Sequence, residues 1–321
     1  MYKSNLRIAI LLPHTLAYGG VKRFLEIGNE FVKLGHEWNI YTKSSNSLDW
    51  FDFLGSIKQK WTDILANDVL IIGDTTLFKY FDSWPKLKIM YVISTSPACG
   101  YIETYKKFLL INNPEFISIF CSTTTWDFYN NLNPANLKQH FLIPGGVNTS
   151  HFMPNLELRN PEPTIIFYSC LDMPRKHGED IFNTIKDLGY KMITFSREEV
   201  SYNHPNLTKY INPNNLELPN IYNKAHIYIG MEDGAGWNNT GAEALSCGLN
   251  IISNGNGSSD FAINNETAII IKDFTEIPSA LEKLKDTTLS QKLSANGLEK
   301  IKEFSWQVIA EKLERIIKER I

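Results

Sequence analysis

The stretch HIYIGMEDGAGWNNTGAEALSCG, residues 226–248, passes from a strand pattern through a polar loop into a helical pattern. HIYIG is a short apolar run that predicts a buried strand. TGAEALSCG predicts a helix that begins near Thr240 and ends at Gly248. Gly234 and Gly236 would let a ligand approach the main chain of the loop closely. The stretch therefore predicts one strand–loop–helix unit of a parallel α/β sheet.

The same alternation runs through the rest of the chain. Short apolar runs are typical of parallel strands that are covered on both faces. They occur at 7–12, 38–42, 68–73, 89–94, 117–121, 164–169, 191–195, 226–230, 250–254 and 267–271. Helical patterns stand between them, so the sequence predicts an α/β protein with doubly wound parallel sheets.

The alternation is interrupted once, by PNLELRNPEP at 154–163, where three prolines and mixed charges predict a linker. We therefore expect a first domain at 1–153, a second domain at 164–303 and a C-terminal helix at 304–321 that can pack back on the first domain. Two α/β domains of similar size would place a ligand cleft between them, beyond the carboxyl ends of the strands.

The bulk composition of the 321 residues excludes several classes of protein. The chain is 43% hydrophobic, which is enough to form a large buried core. Its net charge is −3, so nucleic acid is not expected as a partner. The four cysteines show no CxxC spacing, which is typical of buried thiols in a reducing compartment. The first apolar run is too short for an export signal and no run reaches the about 18 residues of a membrane span. We expect a cytoplasmic protein.

The start of the helix after the polar loop is suited to bind phosphate oxygens. N–H groups at the first residues of a helix lack intrahelical acceptors, and the helix dipole adds positive potential there. The loop does not match GxGxxG, so a nicotinamide dinucleotide is not expected. The candidate binding residues of this stretch are Asp233, Gly236, Trp237, Asn238, Asn239, Thr240 and Glu243.

Four side chains of this stretch allow two interpretations each. Glu243 either closes a capping box with Thr240 or accepts hydrogen bonds from the two hydroxyls of a ribose. Glu232 and Asp233 are either solvated loop acids or ligand contacts. Trp237 is either part of the core or an exposed aromatic lid.

Two further loops can hold phosphate. SCLDMPRKHGED, residues 169–180, follows a predicted strand and carries Arg175 and Lys176, whose alternative is a solvated surface pair. AYGGVKR, residues 17–23, places Gly19 and Gly20 before another helix. Solvated side chains are one alternative for its Lys22 and Arg23, and His14 at the mouth of this loop is a weak candidate for a polar contact.

Three phosphate-competent loops from two domains predict a ligand that carries a diphosphate. The sequence contains no HxxxH, no cysteine pair and no DxD-like cluster, so we expect no metal and no other cofactor. It contains no GxSxG elbow either.

In their order along the chain, several segments resemble the GT-B-fold glycosyltransferases of family 4, which are retaining enzymes that use nucleotide-sugar donors. The resemblance covers almost the whole chain. The matching segments are GGVKRFLEIGNEFVKLGHEWNIYT at 19–42, IPGGVNTSHFMP at 143–154, LPNIYNKAHIYIG at 218–230, GAEALSCGLNIISN at 241–254 and FSW at 304–306.

The chain also departs from this family. The donor loop of the family carries two glutamates eight residues apart; the second matches Glu243, but the first, a sugar contact, falls on Ala235. The family's arginine falls near Cys170 or Leu171, which leaves Arg175 and Lys176 as the matching cations. The signature aspartate becomes Asn148.

The resemblance implies two Rossmann-like domains facing across a cleft and transfer of a sugar, with retention, from a nucleoside-diphosphate sugar to a hydroxyl of a glycan or glycolipid. Arg175 and Lys176 would stabilise the leaving diphosphate, Glu243 would hold the ribose, and Gly19 and Gly20 would make room for the diphosphate and sugar. Glu232 or Asp233 would replace the missing sugar contact.

Two other functions remain open at this stage. The first is a nucleotide-sugar-binding protein without turnover, suggested by Ala235 and Cys170, and the second is a UDP-sugar epimerase. Aromatic and lysine-rich segments at 78–88 and 101–110 also suggest peripheral contact with a membrane during polysaccharide biosynthesis, although an ordinary amphipathic surface explains them equally well.

Overall fold

The computed structural model describes residues 5–44, 47–73, 77, 84–95, 108, 110–132, 139–170 and 174–321. The chain forms two compact units: Met1–Gly146 together with Trp306–Ile321, and Val147–Ser305. The segments 78–88 and 101–110, with their suggested membrane contact, lie largely outside the described residues. No helix among the described residues is long and apolar enough to cross a membrane.

The first unit contains a parallel sheet in the order β3-β2-β1-β4-β5-β6-β7. All pairings between neighbouring strands of its described part are parallel. The central strands are almost completely buried, as expected for a sheet covered on both faces. The strands are β1 (Arg7–Leu11), β2 (Glu37–Tyr41), β3 (Ser56–Lys58), β4 (Val69–Ile72), β5 (Leu87–Val92), β6 (Phe116–Phe120) and β7 (His140–Leu142).

Three helices of the first unit matter here: α1 (Gly19–Lys33), α2 (Thr123–Asn130) and the C-terminal helix, labelled α8 (Trp306–Arg320). The apolar face of α1 is buried, and the helix ends before Gly35, which has a φ of +86°. The helix α8 contacts α1, and its Glu314 accepts a hydrogen bond from His36 at 2.7 Å. The last helix of the chain thus belongs to the first unit.

The second unit contains another parallel sheet, in the order β10-β9-β8-β11-β12-β13. Its strands are β8 (Thr164–Tyr168), β9 (Lys191–Ser196), β10 (Leu207–Ile211), β11 (Ile227–Gly230), β12 (Asn250–Ser253) and β13 (Ile269–Ile270). Its helices are α3 (Gly178–Ile185), α4 (Leu218–Asn223), α5 (Asn239–Ser246), α6 (Ile277–Lys283) and α7 (Thr287–Ile301). One apolar cluster, which includes Phe167, Ile229 and Leu293, fills the space between strands and helices.

The predicted linker 154–163 belongs to the second unit, because hydrogen bonds fasten it there. The Asn155 N–H donates to the side chain of Asn223 at 2.7 Å. The guanidinium of Arg159 donates to the carbonyl oxygens of Ala225 and Cys247. The first unit accordingly ends at Gly146 and not at residue 153.

The α/β fold class with two parallel sheets is confirmed. The predicted strands are present, within a few residues of their expected bounds. The sequence pattern missed β3, β7 and β10, which are edge strands of their sheets with half-exposed residues. Their apolar content is too low to stand out from that of loops.

Candidate functional site

The two predicted cations lie on the cation loop, which we define as residues 174–177. This loop forms one 3₁₀ turn, Pro174–Lys176, and His177 then adopts a left-handed φ of 54° before α3 begins. Gly178 is the first residue of α3. Glycine is required at this position because a Cβ would lie 2.8 Å from the Cα of Ser169, just beyond β8. The close approach fixes the cation loop at the carboxyl end of β8.

The side chain of Glu232 faces both cations. Glu232 lies on the loop between β11 and α5, which we call the acidic loop (residues 231–238). Its carboxylate forms an ion pair with Lys176 and lies 3.8 Å from Nη1 of Arg175. The side chain of Glu232 is only 4% exposed, whereas Arg175 and Lys176 are 32% and 15% exposed. The interpretation of Glu232 as a solvated loop acid is therefore wrong, because it is a buried counter-ion.

Main-chain and side-chain hydrogen bonds join the two loops. The Asp233 N–H donates to the Arg175 carbonyl oxygen at 3.0 Å. Nε2 of His177 lies 2.8 Å from a carboxylate oxygen of Asp233, and Nδ1 lies 2.8 Å from one of Asp180. The cation loop and the acidic loop thus form one hydrogen-bonded unit.

The imidazole of His177 faces two carboxylates, and this determines its protonation. Partial burial lowers the pKa of His177, but the hydrogen bonds to Asp233 and Asp180 outweigh burial and raise the pKa above its ordinary value. The ring of Phe274 packs 5.3 Å away, while the neighbouring acids Asp273 and Glu276 accept hydrogen bonds from their own segment.

The start of α5 differs from the prediction. Asn238 and not Thr240 is the cap, since its side-chain oxygen accepts from the Gly241 N–H at 2.8 Å. The Asn239 N–H donates to the carbonyl oxygen of Trp237 at 3.1 Å. The N–H groups of Asn239 and Gly241, at the helix start that we expected to bind phosphate oxygens, therefore have acceptors within the protein.

Glu243 is buried inside the second unit and accepts a hydrogen bond from the hydroxyl of Tyr222 at 3.0 Å. Burial raises the pKa of Tyr222 well above its usual value, and the charge of Glu243 adds to this effect. Thr240 lies within α5. Its hydroxyl donates to the side-chain oxygen of Asn238 and is also hydrogen-bonded to the hydroxyl of Tyr228. The capping-box interpretation of Glu243 is therefore wrong, and its contact with a ribose stays a prediction.

The middle of the acidic loop is closely packed. Gly234 adopts a φ of +59°, which favours glycine, and Gly236 is buried. Ala235 is 2% exposed, and a Cβ added to Gly257 would lie 2.7 Å from its Cβ. The place where the family that the sequence resembles carries its first glutamate is therefore filled by a methyl group against a neighbouring loop.

Trp237 is part of the core. Its indole is 6% exposed and packs on Phe261 and Phe304, with ring centroids 5.0 and 5.4 Å apart. The interpretation of Trp237 as an exposed lid is wrong, because the two phenylalanines enclose the ring.

In the first unit, the predicted glycine pair opens α1. Gly19 is exposed, and the helix has Tyr18 as its cap without a hydrogen bond from that side chain. A Cβ on Gly20 would come within 2.8 Å of Cδ1 of Ile93, so this side chain would have to shift to admit a larger residue. Nδ1 of His14 accepts a hydrogen bond from the Leu16 N–H at 3.3 Å.

Arg23, for which solvation was one alternative, is only 3% exposed. Its guanidinium lies over the ring of Tyr91, 5.7 Å from the centroid, while Lys22 stays half-buried. Burial raises the pKa of Tyr91, and the charge of Arg23 opposes this shift. Arg23 is thus part of the contact between α1 and β5.

The structure brings the predicted residues of the second unit together, from the cation loop to α5. Sequence reasoning missed His177, Tyr222 and Gly257, which complete this site. Their contacts join segments that are far apart in the chain, so no local pattern could reveal them. The only signal was the position of His177 directly after Lys176.

Another cation lies next to the position that matches an arginine in the family that the sequence resembles. Arg197 follows β9, and its Nη2 lies 3.9 Å from Sγ of Cys170. Cys170 is buried, as are Cys121 and Cys247.

Comparisons with known proteins establish the fold. No protein-family model and no curated protein sequence matches the chain. Sucrose-phosphate synthase from Thermosynechococcus elongatus superimposes with a TM-score of 0.81 at 14% identity, over 98% of both chains. HepE from Anabaena, in complex with UDP and glucose, gives 0.80 at 9% identity over 98% of this chain and 100% of its own. WaaG, a glycosyltransferase involved in lipopolysaccharide biosynthesis, gives 0.73 at 12% identity over 97% and 99%. This chain therefore has the GT-B fold of these glycosyltransferases.

Proposed function

We propose that this protein is a glycosyltransferase that moves a sugar from a nucleoside-diphosphate sugar to a hydroxyl of a glycan or glycolipid acceptor. The observation that carries the proposal is the joined pair of loops at the carboxyl ends of β8 and β11. Arg175 and Lys176 lie there on one loop, hydrogen-bonded to the loop that leads into α5. Cations and a helix start at the ends of neighbouring strands suit a diphosphate.

The roles of the side chains follow from their charge. Arg175 and Lys176 would stabilise the negative charge that develops on the leaving diphosphate. The carboxylate of Glu243 would accept hydrogen bonds from the ribose hydroxyls, and Asp233, with its exposed side chain, would reach the sugar. In a retaining transfer the bond between the anomeric carbon and the phosphate oxygen breaks, the acceptor oxygen bonds to the same face, and its proton passes to the diphosphate.

The proposal includes no metal ion. Among the described residues there is no group of three or more His, Cys, Asp or Glu side chains suited to hold one. The cations of the protein itself would balance the charge of the diphosphate.

UDP-sugars are the first donors to test, because the structures of HepE with this fold were obtained with UDP and with UDP-glucose. A glycolipid acceptor at the cytoplasmic face of a membrane, in polysaccharide biosynthesis, is proposed by analogy with WaaG. We propose that the donor is also contacted by Gly19, Gly20 and His14 of the first unit.

The experiment that tests the proposal is a panel of UDP-, GDP- and dTDP-sugars, measured by calorimetric binding and by release of the nucleoside diphosphate. We expect one class to bind and to be hydrolysed slowly with water as acceptor, without loss of activity in EDTA. Lys176→Gln should lower turnover at least tenfold. Lys186→Gln, which removes a lysine at the end of α3, should leave it unchanged.

The outcomes separate the alternatives. Binding without turnover above the level of Lys176→Gln would identify a nucleotide-sugar-binding protein. Conversion of one UDP-sugar into its epimer, without release of UDP, would identify an epimerase. If no sugar nucleotide binds, the glycosyltransferase proposal is wrong.

A further inference from the structure

Glu232 is a buried negative charge beneath two cations. It is 3% exposed, pairs with the ammonium of Lys176 and lies 3.8 Å from the guanidinium of Arg175. A carboxylate that is removed from water needs such partners, because an isolated buried charge is strongly unfavourable. The position of Glu232 therefore determines where at least one of the two cations lies.

Glu232 and Lys176 are each held by a further contact. The side-chain amide of Asn254, just beyond β12, donates to the main-chain oxygen of Glu232 at 2.9 Å. The ammonium of Lys176 also lies 5.6 Å from the centre of the Tyr168 ring, at the end of β8. Lys176 is thus held by groups from β8 and from the acidic loop, not by its own flexible stem.

We infer that Glu232 is a positioning residue that acts through Lys176, and not the sugar contact that replaces the family's missing glutamate. The inference rests on the proposed function. An ammonium group has three N–H donors, so Lys176 can hold Glu232 and a phosphate oxygen at the same time. A lysine that is fixed before the substrate arrives needs no rearrangement when charge develops on the diphosphate.

The inference predicts a separation of binding from turnover. Loss of the carboxylate charge in Glu232→Gln makes the site more positive, so UDP should bind at least as tightly as it does to the wild type. Turnover should fall at least tenfold, because Lys176 is no longer held. The ratio of the Kd values of UDP and UDP-glucose should stay within twofold of the wild-type ratio, since no sugar contact is lost.

The experiment measures UDP release from UDP-glucose and the Kd of UDP and UDP-glucose, or of the corresponding pair that the wild type binds. The matched control is Glu179→Gln, which removes an exposed carboxylate from the first turn of α3 and should change neither quantity. In the double variant Lys176→Gln/Glu232→Gln, turnover should equal that of Lys176→Gln within twofold, because residues that act as a unit are not additive.

Three results would overturn the inference. They are wild-type turnover in Glu232→Gln, a loss of UDP-glucose affinity of fivefold or more with UDP unaffected, and a double variant that is tenfold slower than Lys176→Gln. If Glu232→Gln does not fold, Glu232→Asp keeps the charge but moves it, and it should turn over at least threefold more slowly. A wild type that binds no nucleotide at all would instead refute the proposed function.

Discussion

Ala235 lies so close to Gly257 that a Cβ added to the glycine would be 2.7 Å from the alanine Cβ. The two residues belong to loops that follow the neighbouring strands β11 and β12. The Asn238 N–H also donates to the carbonyl oxygen of Gly257 at 2.7 Å, beside the start of α5. The small side chain at position 235 is therefore required by packing between loops, and this packing positions the cap of α5.

Gly257→Ala tests this contact. Gly257 has a φ of +67°, so alanine is strained there, and its methyl group would also meet Ala235. We expect the free energy of unfolding to fall by about 2–4 kcal/mol. Gly189→Ala is the control: φ is +80° and nothing lies within 4 Å of an added Cβ, so strain alone should cost about 1 kcal/mol. If urea unfolding gave the same loss of unfolding free energy for both variants, the contact between Ala235 and Gly257 would not restrict either residue.

Ala235→Glu introduces the glutamate of the family that the sequence resembles at a site that is 2% exposed. We expect this variant to lose stability by at least about 3 kcal/mol and to bind UDP-glucose no better, because the carboxylate lacks both space and solvent. In Ala235→Gln the side chain has a volume similar to that of glutamate but no charge, so this variant should lose less stability. A stable Ala235→Glu with tighter binding of UDP-glucose than of UDP would show that the loop can open to admit a sugar contact.

The fold could be predicted because its signal is local. Buried parallel strands such as β4 and β11 are continuous apolar runs, and the glycines that follow helices mark where the helices end. The edge strand β10 has the sequence LTKYI, and its residues are half-buried or exposed. Its pairing with β9 stabilises it in a way that the pattern alone does not reveal.

The candidate site could be predicted only in part. Arg175 and Lys176 were found because charges at the end of a strand stand out in the sequence. The burial of Glu232 was not predicted, and a core position of Trp237 was only one of two alternatives, since both depend on partners from distant segments. The cap of α5 was placed two residues too late because Asn238 and Thr240 are both good capping residues, and only the geometry decides between them.

Glu314→Gln tests how α8 is held in the first unit. Nδ1 of His36 accepts from the Leu6 N–H, so Nε2 is the donor to Glu314. Burial opposes ionisation of Glu314, but hydrogen bonds from Lys318 and His36 outweigh it and hold its pKa below the usual value. The stabilisation is present above the unfolded pKa and is lost as the pH falls through the folded pKa. We expect a loss of about 1 kcal/mol at pH 7 that vanishes in acid.

The control for this prediction is Glu319→Gln, which removes an exposed carboxylate from the same helix and should leave the free energy of unfolding unchanged. A loss in Glu314→Gln that persists unchanged at a pH well below the carboxyl range would contradict the role of the ionised carboxylate.

Glu243→Gln separates the structural contact of this residue from a ribose contact. The amide oxygen can still accept from Tyr222, so the free energy of unfolding should change by less than about 1 kcal/mol. UDP affinity should fall about tenfold, because hydrogen bonds to a carboxylate are stronger than those to an amide. In Tyr222→Phe the buried carboxylate loses a donor, and unfolding should become easier by about 1–3 kcal/mol. Wild-type UDP affinity in Glu243→Gln would refute the ribose contact.

The link between the two loops should depend on pH through His177. A neutral imidazole has one donor and one acceptor, yet both ring nitrogens of His177 lie 2.8 Å from carboxylate oxygens, so the charged form fits this geometry. Because the folded pKa is raised, the stabilisation is complete below the unfolded value of about 6.5 and is lost as the pH rises through the folded pKa. NMR titration should therefore give a pKa for His177 above the ordinary value, and Asp180→Asn should lower it. His177→Asn, which tolerates the left-handed backbone, should remove the alkaline decline in melting temperature. A titration of His177 at or below the ordinary value would mean that the two carboxylates do not hold its proton.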